Sequence, residues 1–161
     1  MAESFIISKS LSKKEQYQEA LIQLTHLTAG EPDLIANLSN IMSALKYGFG
    51  FFWVGVYMVK NDELVLGPFQ GPIACTRIQK GRGVSGAAWQ DQKSILVPNV
   101  DEFPGHIACS SESKSEIVIP VFDSENNVSM VFDIDSDRLN NFDEDDVFGL
   151  EQIAKLISKL S

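Results

Sequence analysis

"FGFFWVGVYMVKNDELVLGPFQG", residues 49–71, sets two runs rich in Val, Leu, Phe, Tyr and Trp on either side of Asn61-Asp62. β-Branched and aromatic residues suit a pleated, half-buried surface. Asn and Asp tolerate the left-handed backbone that a tight turn between paired strands requires. The stretch therefore predicts a β-hairpin. "SEIVIPVFDSENNVSMVFDIDS", residues 115–136, repeats the arrangement around "DSENN", and "SILVPNV", residues 94–100, adds a short strand.

Helical patterns stand outside these strands. Residues 12–29 carry a capping box in Ser12 and Glu15, then Tyr17, Leu21, Leu24 and Leu27 near helical spacing, with Gly30 and Pro32 beyond. Residues 33–47 place Leu34, Leu38, Ile41, Met42 and Leu45 on one face, and Gly48 reads as the stop. "FDEDDVFGLEQIAKLISKL", residues 142–160, is an amphipathic helix whose acids Asp143 to Asp146 sit where the helix dipole favours them. Two helices, a sheet and a closing helix predict an α+β fold with a central antiparallel sheet and the helices on one face. The length of 161 residues suits one domain over 1–161, with residues 1–11 as a flexible extension.

Composition narrows the function. Hydrophobic residues make up 44% of the chain, enough for a core, and the formal charge is −9. Such an acidic surface speaks against nucleic acid and anionic membrane as partners. No apolar run approaches the ~20 residues of a membrane-spanning helix, and no secretory leader is visible. A cytoplasmic protein is expected.

Residues 71–116 show little regular pattern beyond one short strand, and long irregular stretches in compact domains tend to be functional. The chain's two cysteines lie here, Cys75 in "GPIAC" and Cys109 in "GHIAC". Free cysteine is often apolar filler. A zinc site with His26 and His106 lacks any short ligand spacing, so no metal is expected. Two thiols on adjacent loops can also form a redox pair, in which one attacks and the other resolves. Arg77, Lys80 and Arg82 follow Cys75, and His106 and Lys114 flank Cys109, cations that would favour a thiolate.

Three acids interrupt apolar strands: Glu116, Asp133 and Asp135. Alternation puts Asp133 and Asp135 on one strand face, where like charges raise a pKa unless a cation intervenes. Such a pair can hold an ammonium group, or one member can stay protonated and act as an acid; it can also be ordinary solvated decoration. Trp53 and Tyr57 share a face with Gly55 between them, which leaves room for a ligand or another backbone, although aromatics usually fill cores. "KGRGVSG", residues 80–86, lacks the context of a nucleotide loop and reads as a tight turn into a short helix at "SGAAWQ".

Taken together, "WVGVY", "LVLGPFQGPIAC", "GRGVSG", "GHIAC", "SEIVIP" and "DIDS" resemble the free methionine-(R)-sulfoxide reductases, stand-alone GAF-domain enzymes, from about Gly30 to the end of the last helix. The resemblance implies a GAF fold and reduction of free L-methionine-(R)-sulfoxide. Cys109 would be the nucleophile that becomes a sulfenic acid, and Cys75 the thiol that resolves it as a disulfide. It further implies electrons from thioredoxin with no bound cofactor, and a homodimer. Glu116, Asp133 and Asp135 resemble the family's substrate-binding and acid residues, with Glu116 and Asp135 among the catalytic ones. Trp53 and Tyr57 resemble its aromatic wall. Family members commonly carry a third cysteine inside the "GRGV-x-G" loop, where this chain has Ser85, which closes any disulfide route through that loop. The competing expectation is a non-catalytic GAF module that binds a small molecule as a sensor.

Overall fold

The structure is a computed structural model that describes residues 4–161. Helices α1 (Lys13–Leu27) and α2 (Leu34–Phe49) lead into a hairpin of β1 (Trp53–Lys60) and β2 (Glu63–Gln70). β3 (Arg77–Gln79), α3 (Gly83–Asp91) and β4 (Ile95–Val97) follow, then a 3-10 turn, Val100–Glu102. The hairpin of β5 (Ser115–Phe122) and β6 (Val128–Ser136) and helix α4 (Glu144–Leu160) complete the chain. The six strands form one antiparallel sheet in the order β3-β2-β1-β6-β5-β4.

The two predicted hairpins are present, and their turns explain themselves. Asn61 and Asp62 adopt φ of 50° and 61°, the paired left-handed residues of a two-residue hairpin turn. In the second turn Asp123 Oδ1 accepts from the amides of Glu125 and Asn127 while Asn126 takes φ 65°. Gly48 does not end α2. It lies buried inside the helix against Phe5 and Ile7, and Gly50, at φ 72°, is the residue that turns the chain out. Residues 4–11 form neither helix nor strand; Ser8 N–H donates to Glu19 at 2.9 Å and the Lys9 ammonium to the Gly48 carbonyl at 3.0 Å.

Side chains alternate across the central strands, so the sheet has two different faces. Val54, Val56, Ile117, Ile119, Phe132 and Ile134 pack under α1, α2 and α4 in the main core. The opposite face carries Trp53, Tyr57, Val118 and Val131 and is covered by α3 and the loops around it. Glu116, Asp133 and Asp135 belong to this second face by the same alternation. No helix among the described residues is long and apolar enough to cross a membrane.

Candidate active site

Strands β1, β5 and β6 bring three acids into one spot. Asp135 pairs with Glu116 on one side and Trp53 on the other, and Asp133 pairs with Gly55 and Val118. A carboxylate oxygen of each acid therefore lies within 4.8 Å of the other two. Glu116 is 7% exposed and Asp133 5%, and Asp135 is half-buried, so the group is largely withdrawn from bulk water. The face is not solvated decoration, because α3 and the cysteine loops roof it.

That setting dictates protonation. Burial pushes the Glu116 and Asp135 carboxyls well above the ordinary carboxylate range, with the neighbouring acids adding to the rise. Asp133 is pushed up to about 6 by burial, opposed by a hydrogen bond from Ser85. The Ser85 hydroxyl donates to Asp133 Oδ2 at 3.0 Å. Asp133 Oδ1 is sealed from solvent and accepts no hydrogen bond from a hydroxyl, amide or amine among the described residues. It is satisfied by a proton on a neighbouring acid or by a cation from outside.

The wall beside the triad is aromatic. Trp53 lies over Gly55, where a Cβ would come within 2.5 Å of the indole. Gly55 therefore makes room for the Trp53 ring rather than directly for a ligand or another backbone. The indole stacks on Phe69 at 5.3 Å and on Tyr57 at 6.1 Å between ring centroids. Its Nε1–H donates to the Pro72 carbonyl at 3.0 Å, which ties the wall to the loop bearing Cys75. Burial raises the Tyr57 phenol, so this ring stays neutral.

Cys75 and Cys109 are joined in a disulfide, with Cα atoms 5.2 Å apart, and both are half-buried. They are not buried filler, and His26 lies in the last turn of α1. Cys109, with Trp53, Tyr57, Glu116, Asp133 and Asp135, lines a single cavity. Cys75 closes it through the disulfide, and its neighbours Ile73 and Ala74 also line it. The cations expected near Cys75 are engaged elsewhere: Arg77 bonds Glu63 at 2.9 Å, and the Lys80 ammonium sits 4.9 Å from the Trp89 ring centre. Arg82 and His106 do line the cavity, and burial lowers the His106 pKa, favouring its neutral form.

Sequence reasoning singled out Ser85 as a departure from a pattern and missed it as a site residue. It missed Ser113 as well, which lines the same cavity. The roof element is α3, the short helix expected at "SGAAWQ"; its N-terminal residues Gly83, Val84 and Ser85 line the cavity and its N-cap, Arg82, makes no side-chain capping bond. Gly81 and Gly83, with φ of 76° and 62°, form the turn into it. Ile107, from the Cys109 loop, packs against Gly83.

A helix-backed antiparallel sheet whose other face holds a roofed, acid-floored pocket with a disulfide at its mouth defines a small-ligand-binding domain equipped for thiol redox chemistry. Comparison with known proteins gives that class a family. A family described as "GAF domain" matches residues 28–160. The chain is 59% identical over 158 residues to GAF domain-containing protein A of Dictyostelium discoideum, covering 98% of this chain and 99% of that one. It is 39% identical over 160 residues to the free methionine-R-sulfoxide reductase of Saccharomyces cerevisiae, covering 94% and 89%. It also superposes with a TM-score of 0.94, at 47% identity, on the Neisseria meningitidis free methionine-R-sulfoxide reductase in complex with its substrate, covering 99% and 95%. The chain belongs to the GAF-domain family and, within it, to the free methionine-R-sulfoxide reductases.

Proposed function

We propose that this protein reduces free L-methionine-(R)-sulfoxide to methionine through Cys109 and is recycled by a dithiol protein of the thioredoxin type in the cytoplasm. The observation that carries the reading is the Cys75–Cys109 disulfide set over a buried carboxyl triad with one unpartnered oxygen. A free amino acid presents an ammonium group, and a buried anionic oxygen without a donor calls for one. Asp133, the least raised of the three acids, carries that charge near neutrality. The uncapped start of α3 offers backbone N–H groups to the substrate's carboxylate. A residue inside a polypeptide has neither charged group, which accounts for a preference for the free form.

Cys109 attacks the sulfoxide sulfur while Glu116 or Asp135, held protonated, donates to the oxygen. Methionine leaves, its sulfur reduced by two electrons, and the Cys109 sulfur is oxidised to a sulfenic acid. The Cys75 thiol then displaces the sulfenic hydroxyl as water, forming the disulfide. A dithiol reductant exchanges with that disulfide, restores both thiols and is itself oxidised. Trp53 and Tyr57 wall the methyl end and stabilise positive charge on sulfur. No bound cofactor enters these steps. The family's homodimer is part of the proposal.

The test is NADPH consumption in a thioredoxin-coupled assay with free R sulfoxide, free S sulfoxide and a peptide-bound R sulfoxide. Turnover of the first alone is the expected result. Silence with both thioredoxin and dithiothreitol overturns the reading in favour of a ligand-binding module without chemistry.

A further inference from the structure

Ser85 is 3% exposed in the first turn of α3. A buried hydroxyl at this place has one donor to spend, and it spends it on Asp133 Oδ2 at 3.0 Å. The other oxygen, Oδ1, is sealed from solvent and accepts no hydrogen bond from a hydroxyl, amide or amine among the described residues, so Ser85 is the donor that holds this carboxyl group.

We infer that Ser85 is a positioning residue for substrate binding: by donating to Asp133 Oδ2 it fixes the orientation of that carboxylate in the cavity lining, where it attracts the amino acid's ammonium group. The inference rests on the reductase reading and adds to it a determinant of selectivity that no thiol chemistry requires. The groups facing Asp133 show why its orientation and charge need a fixed donor. Tyr57 faces it from β1, Glu116 from β5 and Asp135 from β6; burial raises the cost of its charge, and the Ser85 hydroxyl from α3 lowers it, followed by hydrogen bonds from Glu116 and Asp135. Arg82 and His106 lie at the cavity lining. A thiol in the same place is a weaker donor and would hold the carboxylate less firmly. The hydrogen bond is to an ionised group in a dry site, where such bonds are strongest.

The experiment compares the wild type with Ser85→Ala, Ser85→Cys and Ser85→Thr, using dithiothreitol as reductant so that recycling does not enter. In Ser85→Ala the KM for the free sulfoxide should rise about tenfold with kcat changed far less, the size expected for one bond to a charged group. The acidic limb of kcat/KM should move to higher pH, because removing the donor raises the pH at which Asp133 ionises. Ser85→Cys should lie between the two, and Ser85→Thr, which keeps the hydroxyl, should restore the wild-type limb. The deamino analogue of the substrate should bind wild type and Ser85→Ala alike. An unchanged limb and KM in Ser85→Ala, or equal losses for Ala and Thr, would overturn the inference. If Ser85→Ala fails to fold, the near-isosteric Ser85→Cys carries the same pH comparison. Absence of turnover by the wild type overturns the function reading instead, so the two failures are distinguishable.

Discussion

The Cα atoms of Cys75 and Cys109 lie 5.2 Å apart although 34 positions separate them in the chain, and the disulfide between them closes a cavity floored by Glu116, Asp133 and Asp135. The loop before Cys75 is held by the Trp53 indole, and the loop before Cys109 rests on Gly83. Two matching Ile-Ala-Cys segments are thus delivered to one spot by two different supports. If Cys109 is the attacking thiol and Cys75 the resolving one, their substitutions must differ in kind. Cys109→Ser should abolish reduction with every reductant. Cys75→Ser should release about one methionine per chain without added reductant and then stop with thioredoxin, accumulating a sulfenic acid that a dimedone adduct reveals by mass spectrometry. Activity of Cys75→Ser with dithiothreitol should persist. Full thioredoxin-dependent activity in Cys109→Ser would reverse the assignment.

The carboxyl triad should make the empty enzyme less stable as pH rises. Burial lifts Asp133 from 3.8 to about 6, and Glu116 and Asp135 higher. A group whose folded pKa is raised binds its proton more tightly in the folded state. Its contribution is fully present below the unfolded value, near 4, and is lost as pH climbs through about 6 and beyond. For Asp133 alone the shift corresponds to about 3 kcal/mol. Replacing a charge-bearing acid by its neutral isostere removes that loss. Glu116→Gln should therefore raise Tm relative to wild type at pH 8 and change it little at pH 4, while reducing kcat at least tenfold. Thermal melts of both proteins across this range provide the check. A wild-type advantage at pH 8 would mean that the triad carries a resident cation.

Much of this fold is legible in the strands and long helices, because each has a clear period and each hairpin has turn residues with a stated conformation. Asn61-Asp62 is the plainest case. The parts that escaped reading are those without a clear period of their own. Helix α3 is read as a short helix at "SGAAWQ", but with Gly83, Val84, Ser85, Gly86, Ala88 and Trp89 all buried it shows no period to mark its start at Gly83 or its place over the site. β3 is three residues long and is recognisable only from its pairing with β2. Gly48 misled because a glycine near a helix end reads as a stop, whereas here close packing against Phe5 and Ile7 is the reason for it. The acids and cysteines could be singled out as chemically out of place, but their convergence depends on strand register. Ser85 could not be assigned to the site without seeing which carboxylate its hydroxyl meets.

Gly149 of α4 illustrates the same kind of constraint at the helical layer. A Cβ there would overlap the Tyr17 ring. That ring cannot move aside freely, because its hydroxyl donates to Asp146 Oδ1 at 2.7 Å, and Asp146 in turn pairs with Lys13 at 2.7 Å. Alanine is the better helix former by about 1 kcal/mol, so an exposed Gly→Ala change would stabilise. Here overpacking of about 1–3 kcal/mol should outweigh that gain. Gly149→Ala should lower Tm by a few degrees without altering the KM for the sulfoxide, as followed by calorimetry alongside the coupled assay. An increase in Tm would show that α1 and α4 part easily.

The bond from Trp53 Nε1 to the Pro72 carbonyl, 3.0 Å long, makes an aromatic wall residue into a tether for the resolving cysteine three positions on. Phenylalanine at this position would keep an aromatic face toward Phe69 and Tyr57 and lose only the donor. Disulfide closure needs the Cys75 sulfur held near Cys109, so releasing the tether should slow resolution more than attack. In Trp53→Phe, single-turnover release of methionine should fall only about threefold. Disulfide formation after it should slow about tenfold, the loss expected for one buried hydrogen bond. Rapid-quench samples trapped with dimedone should then hold far more sulfenic acid at early times than wild type. Equal slowing of both steps would place Trp53 in substrate packing alone, with no part in holding the Cys75 loop.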